Sequence, residues 1–139
     1  MRLVDLAKQL CKVAHKGQID KGGNDYYLHP YKVAKMCESE KEKTVAYLHD
    51  VIEDTSITLD DLRTYGFDDE ILNAVDCVTK KPNEGYEEYI QKIKENPIAR
   101  AVKINDMKHN SQLDRLQVVT QKDIERVLKY QKYIAFLSC

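Results

Sequence analysis

Glu40-Lys41-Glu42-Lys43-Thr44-Val45-Ala46-Tyr47-Leu48-His49-Asp50-Val51-Ile52-Glu53 is the stretch from which the fold can be read. Its apolar residues Val45, Ala46, Leu48, Val51 and Ile52 recur at spacings of three and four. That period is helical and predicts one helix over residues 40–53. The same period runs outward in both directions. Leu3, Leu6, Ala7, Leu10, Val13 and Ala14 predict a helix over 2–16, with Lys8 and Lys12 on its other face. Gly17 and the pair Gly22-Gly23 end it and open a loop. Pro30 suits the first turn of a helix that carries Val33, Ala34 and Cys37 inward.

Downstream, Thr58 is a candidate N-cap for a short helix ending before Gly66. Asp68 or Asp69 starts another, with Ile71, Leu72, Val75 and Val78 as its apolar members. Pro82-Asn83 and Asn96-Pro97 bracket a helix over 84–95. Ile98, Ala101, Val102, Ile104 and Met107 mark a further one, and Thr120 caps a last helix to about Leu137. Alternating strand patterns are nearly absent, and no repeat or linker divides the chain. The expectation is an all-α, compact helical bundle forming a single domain over residues 1–139.

Composition narrows the function classes. The chain has 139 residues, 42% hydrophobic and 32% charged, with net charge -1. That length supports a buried core without disulfides, and the near-neutral balance argues against a nucleic-acid coat protein. Residues 1–35 hold seven Lys or Arg against three Asp, residues 36–76 three against twelve acids, and residues 77–139 twelve against eight. An acidic middle between basic ends can set cation-binding carboxylates beside groups that neutralise an anionic substrate; solvated faces of opposite sign give the same pattern. Cys11, Cys37, Cys77 and Cys139 are far apart and make no C-x-x-C pair, and no apolar run is long enough to span a membrane. Met1-Arg2-Leu3-Val4-Asp5 lacks the apolar stretch of a signal peptide. A cytoplasmic protein with reduced thiols is expected.

The chemistry concentrates around His49-Asp50. On a continuous helix Glu53 falls one turn after His49 and Asp54 one turn after Asp50. Like charges at that spacing repel, and a divalent cation would offset the repulsion. His29, at a loop-to-helix junction, and Asp106, on a largely apolar helix turn, could complete an N/O ligand set. Taken singly, His29 also fits a packed histidine at a cap, and Asp106 a surface acid. His15 and His109 have no neighbouring acid that marks them as ligands, although His109 lies near Asp106 and could support the ligands from behind.

The segments Ala14-His15-Lys16-Gly17-Gln18-Ile19-Asp20-Lys21, Tyr26-Tyr27-Leu28-His29-Pro30-Tyr31-Lys32-Val33-Ala34, His49-Asp50-Val51-Ile52-Glu53-Asp54-Thr55 and Lys103-Ile104-Asn105-Asp106-Met107-Lys108-His109-Asn110 together carry a resemblance. In that order they resemble the HD-superfamily hydrolase domain of RelA/SpoT-type alarmone enzymes, and more closely the small stand-alone (p)ppGpp hydrolases related to the metazoan Mesh enzymes. The match spans roughly residues 3–116. The Glu-Asp-Thr after the His-Asp pair, and the Asn one turn after the last Asp, are its more specific parts.

The resemblance implies an all-α HD bundle and hydrolysis of ppGpp, guanosine 3′,5′-bis(diphosphate), to GDP and pyrophosphate. It implies one Mn²⁺ held by His29, His49, Asp50 and Asp106, another first-row divalent metal being an alternative. Glu53 and Asp54 would activate water and handle protons. Lys16, Lys21 and Asn110 would hold the substrate, and Tyr26, Tyr27 or Tyr31 could pack on its base. The partner class is a small nucleotide, with no nucleic acid and no membrane. Three positions depart from the family pattern: Asp20 stands where Arg or Lys is frequent, Asp25 where Pro usually precedes the Tyr, and Asn105 where a small residue is common. Asp20 and Asp25 put negative charge near the expected phosphate loop. Alternatives are an HD phosphohydrolase acting on a nucleotide monophosphate, NADPH or another phosphorylated metabolite, and a nucleotide-binding module without turnover.

Overall fold

The computed structural model describes residues 1–139 and is built from helices: α1 (Leu3–Ala14), α2 (Leu28–Met36), α3 (Glu40–Leu48), α4 (Val51–Asp54), α5 (Leu59–Thr64), α6 (Asp69–Val78), α7 (Tyr86–Lys94), α8 (Pro97–Asn110) and α9 (Gln121–Ser138), with a 3-10 turn at Leu113–Arg115. The only strand-like pairing is a single bridge between Ile19 and Asp25. The expected all-α architecture is what forms.

Local sequence sets most helix starts. Ser39 with Glu42, Thr58 with Asp61 and Thr120 with Asp123 form reciprocal capping boxes. Asp68 and Asn96 cap α6 and α8 through their side-chain oxygens. Each such cap is worth about 1 kcal/mol, because it satisfies backbone N–H groups that the helix leaves without partners.

α3 is the centre of the bundle. It packs against α1, α2, α6 and α8, and buries Thr44, Val45, Ala46 and Leu48. α8 lies across it and also meets α2, α6, α7 and α9. Leu48, Leu62, Ile90, Ile93 and Met107 are fully buried in one contiguous core, each large side chain contributing about 1.5–3 kcal/mol by leaving water.

One expectation is corrected. The predicted helix over 40–53 is interrupted at His49-Asp50, where a turn separates α3 from α4. The reason is local competition for one acceptor. The Ala46 carbonyl accepts from the His49 backbone N–H at 3.4 Å and from the His49 ring Nδ1 at 2.6 Å. A side chain that takes a helix carbonyl in this way offers the backbone a route out of the helix. Asp50 follows at φ -107°, ψ -1°. The helical period resumes when Asp54 N–H donates to the Asp50 carbonyl at 3.0 Å. Neighbours on a continuous helix diverge by about 100°; across this turn the side chains of His49 and Asp50 meet.

Candidate metal centre and the cleft beside it

Three elements deliver the centre: the first turn of α2 (His29), the turn after α3 (His49, Asp50) and the middle of α8 (Asp106). All lie at or next to helix–helix contacts in the bundle, so the ligand atoms are aimed by packing rather than by a free loop. His29 Nε2 is 2.7 Å from Asp106 Oδ1. His49 Nε2 is 3.0 Å from Asp50 Oδ2 and 3.4 Å from Asp106 Oδ1. Ligand atoms of His29, His49 and Asp50 all lie within 4.8 Å of one another. Both imidazoles and Asp106 are buried, at 3%, 3% and 5% exposure. The four residues that the sequence separates by up to 77 positions therefore converge.

His49 bears directly on what this cluster can hold. Its Nδ1 donates to the Ala46 carbonyl, so Nε2 is the nitrogen left to face the carboxylates. Nε2 is fully buried and has no aligned hydrogen-bond partner, despite the closeness of two carboxylates. A buried lone pair facing anionic oxygens is the donor arrangement of a cation ligand whose other ring nitrogen is anchored to backbone. Two imidazoles and two carboxylates suit a first-row divalent metal.

Electrostatics agree. Burial penalises the His49 cation, yet the Asp50 and Asp106 charges outweigh it and raise its pKa well above the usual value. Burial works against the Asp106 carboxylate, but the Lys103 ammonium and His49 hold its pKa well below the usual range. Asp50 is likewise opposed by burial and pulled down by His49, to about 2. A proton on His49 thus balances the two acids, and a cation would displace that proton.

Supporting residues surround the four. Lys103, whose side chain is 16% exposed, donates to Asp106 Oδ2 at 3.1 Å. Asn110 Nδ2 donates to Asp106 Oδ1 at 3.1 Å. Tyr26 donates its hydroxyl proton to Asp50 Oδ2 at 2.5 Å; burial and the Asp50 charge raise its pKa. His109, 6% exposed, sets its Nδ1 2.7 Å from Nδ1 of His29. Burial and the Arg115 charge depress the His109 pKa to about 4.

Glu53 and Asp54 occupy α4 immediately after the centre. Glu53 Oε1 accepts the Lys80 backbone N–H at 2.6 Å. Burial raises its pKa in spite of that bond. Asp54 is raised by burial and then by the Asp50 charge. Its backbone carbonyl accepts from Gln18 Nε2 at 3.0 Å, and Gln18 Oε1 meets His15 Nδ1 at 2.9 Å.

A cleft of about 350 Å³ opens beside His29 and Asn110. Lys21 and Tyr26 are among its lining residues. Lys16 is not: it is exposed at the end of α1. Tyr27 and Tyr31 pack edge-to-face on each other, 5.0 Å between centroids, and are not among its lining residues. Arg115, Arg126 and Tyr130 line the cleft and were not anticipated. Arg115 comes from the 3-10 turn just past the Lys103–Asn110 segment, and Arg126 and Tyr130 come from α9, beyond the matched span. Lys103 did carry a signal, since a residue three before Asp106 shares its helix face.

Asp20 organises the loop at the cleft edge. Its Oδ1 accepts from the Gly22 and Asn24 backbone N–H groups, both at 2.9 Å, and its Oδ2 lies 3.5 Å from the Arg115 guanidinium. Gly22 sits so close to the 3-10 turn that a Cβ there would stand 2.4 Å from the Arg115 carbonyl. Arg126 pairs with Asp123 at 2.8 Å, and Lys21 lies 4.0 Å from the same carboxylate.

No family model matches the chain. It is 36% identical over 83 residues to a guanosine-3′,5′-bis(diphosphate) 3′-pyrophosphohydrolase of Borreliella burgdorferi, a match covering 57% of this chain and 12% of that protein. It is 30% identical over 123 residues to a GTP pyrophosphokinase of Streptomyces coelicolor, covering 79% of this chain and 14% of that protein. A similar pyrophosphohydrolase of Vibrio cholerae is 37% identical over 71 residues, covering 48% and 10%. The chain thus spans a small part of the length of these relatives. A solved structure described as a metazoan ortholog of SpoT that hydrolyses ppGpp superposes with a TM-score of 0.81, at 20% identity, over 99% of this chain and 85% of that one. No helix is long and apolar enough to cross a membrane.

Proposed function

We propose that this chain, a RelA/SpoT-type domain of the HD-hydrolase fold, is a divalent-metal-dependent phosphohydrolase that removes the 3′-diphosphate of guanosine 3′,5′-bis(diphosphate). The observation that carries the reading is the convergence of His29, His49, Asp50 and Asp106, with a buried His49 Nε2 left without an aligned partner. The pyrophosphohydrolase names of several relatives supply the substrate class.

His29, His49, Asp50 and Asp106 would hold the cation, with manganese as the first candidate. When bound, it supplies Lewis acidity toward a phosphate oxygen and makes a neighbouring water more acidic. The protein's residues do the rest. Glu53, with its pKa raised by burial, accepts the proton of the attacking water. Its anchor on the Lys80 N–H fixes the carboxylate in place. Asp54 keeps the local potential negative, so that the accepted proton is retained on Glu53. Water adds to the phosphorus attached to the 3′ oxygen, the bond between them breaks, the 3′ oxygen takes up a proton, and GDP and pyrophosphate separate. Asn110 orients the substrate beside Asp106, while Lys21, Arg115 and Arg126 neutralise its phosphates. Tyr130 and Tyr26 offer rings at the cleft wall for a base.

The test incubates purified protein with Mn²⁺ and ppGpp and follows nucleotide and pyrophosphate. GDP and pyrophosphate in equal amounts, lost on chelation, are expected. Intact ppGpp in the presence of metal-loaded protein rejects the substrate. A second reading, another phosphorylated nucleotide, draws on Asp20, which puts a carboxylate at the cleft edge beside Arg115. Parallel assays with a nucleoside monophosphate and NADPH separate the two.

A further inference from the structure

We infer that His109 is a positioning residue that takes up the Nδ1 proton of His29 when a cation is bound, so that His29 turns a lone pair and not a proton toward that cation. The inference rests on the cation reading above and goes beyond it by assigning a role to a residue outside the ligand set.

The two histidines of the centre are held differently. The His49 Nδ1–H is committed to the Ala46 carbonyl at 2.6 Å. A carbonyl only accepts, so the backbone alone sets that ring's tautomer. His29 has no such carbonyl. Its Nδ1 faces the Nδ1 of His109 at 2.7 Å, both rings buried and their planes only 20° apart. At that separation the two nitrogens share one proton: two lone pairs would repel, and two N–H groups would collide. The near-common plane directs that proton along the line between them. For His29 to offer an Nε2 lone pair while neutral, its proton must sit on Nδ1 and His109 Nδ1 must accept it. The neutral pair carries two ring protons, which then reside on His29 Nδ1 and His109 Nε2.

The helix that supplies the ligand also supplies the acceptor. Asp106 and His109 are three residues apart on α8, and together they address both nitrogens of His29: without a cation Nε2–H donates to Asp106 Oδ1 and Nδ1 accepts from His109, and a cation taking the place of the Nε2 proton reverses the Nδ1 bond, so that His29 Nδ1–H donates to His109. Arg115 holds this end of α8 by donating to the His109 carbonyl at 2.9 Å. Outer partners of this kind orient the ligand ring, and their loss typically weakens metal binding by about 10- to 100-fold.

The experiment compares wild type, His109→Leu and His109→Asn. Leucine keeps apolar volume and removes the acceptor. Asparagine can place its amide oxygen where Nδ1 stood. Mn²⁺ affinity is read by isothermal titration calorimetry, with far-UV circular dichroism as the measure of fold. His109→Leu should bind Mn²⁺ about 10- to 100-fold more weakly, and His109→Asn should recover most of that loss. Wild-type affinity in the leucine variant overturns the inference, as does an equally weak, folded asparagine variant. A wild type that takes up no divalent cation overturns the cation reading itself. Should the leucine variant not fold, the ¹⁵N imidazole spectrum of zinc-loaded wild type decides. A protonated Nδ1 on His29 facing an unprotonated Nδ1 on His109 is expected; the reverse placement overturns the assignment.

Discussion

Replacing Asp106 by alanine should damage stability and metal binding together, and the size of the first effect follows from what this carboxylate touches. Its oxygens lie 3.1 Å from Lys103 Nζ, 2.7 Å from His29 Nε2, 3.1 Å from Asn110 Nδ2 and 3.4 Å from His49 Nε2. Removing one partner of a buried ion pair leaves the other uncompensated, at a cost of about 3–5 kcal/mol. Lys103 has a flexible stem and some residual exposure, so the lower end, about 3 kcal/mol, is the better expectation. For a chain of 139 residues that corresponds to a fall in melting temperature of about 10–15 °C. Asp106→Asn is the matched control. It keeps the shape and an acceptor for His29 but not the charge, so it should melt closer to wild type and still lose metal. Differential scanning calorimetry of the metal-free proteins and calorimetric Mn²⁺ titration give the two quantities. If the alanine variant melts within about 2 °C of wild type, the buried charge cluster does not exist as described; if it binds Mn²⁺ normally, Asp106 is no ligand.

Glu53→Gln retains an acceptor for the Lys80 N–H and should keep metal affinity while turnover drops by about 10²–10⁴; an unchanged rate of pyrophosphate release removes Glu53 from the reaction. Gly22→Ala forces a Cβ to 2.4 Å from the Arg115 carbonyl, so the loop and the 3-10 turn must part; nucleotide affinity should fall while Mn²⁺ affinity holds, and unchanged KM would refute the contact. Lys21→Ala should raise KM several-fold and Lys16→Ala should not, a contrast that steady-state kinetics resolves. Asp123, held by the Thr120 backbone and hydroxyl and by Arg126, has its pKa lowered from 3.8 to about 2. A depressed carboxylate contributes stability above its unfolded pKa and loses it as pH falls through the folded one. Asp123→Asn should therefore flatten the acid side of the stability curve between pH 4 and about 2, read by circular dichroism; an unaltered slope would disprove it.

What could be read from the chain was whatever depends on near neighbours. Thr58, Asp68 and Thr120 announce helix starts because a cap is a bond across three residues. The helical period carried the all-α class for the same reason. His29, His49, Asp50 and Asp106 could be picked as a set by residue type and order, but their meeting depends on how α2, α3 and α8 pack. The break at His49-Asp50 was not legible, because it turns on whether the His49 ring or the helix ladder takes the Ala46 carbonyl. Arg115, Arg126 and Tyr130 were out of reach for a different reason. No ligand pattern includes them, and packing alone brings them to the cleft: the seating of α9 against α7 and α8 carries Arg126 and Tyr130, and the 3-10 turn after α8 sets Arg115 against the Asp20–Gly22 loop. Lys16 shows the converse: it belongs to the matched segment 14–21, yet it is exposed to solvent.

The guanidinium groups at the cleft already carry built-in counter-charges, Asp20 on Arg115 and Asp123 on Arg126. A phosphorylated ligand entering there swaps partners with a fixed carboxylate instead of stripping mobile ions from bare cations. Its affinity should consequently vary only shallowly with ionic strength. Discrimination among anions then becomes a contest, won by the ligand whose oxygens outbid two acids that the loop and the helix cap hold permanently in the bidding.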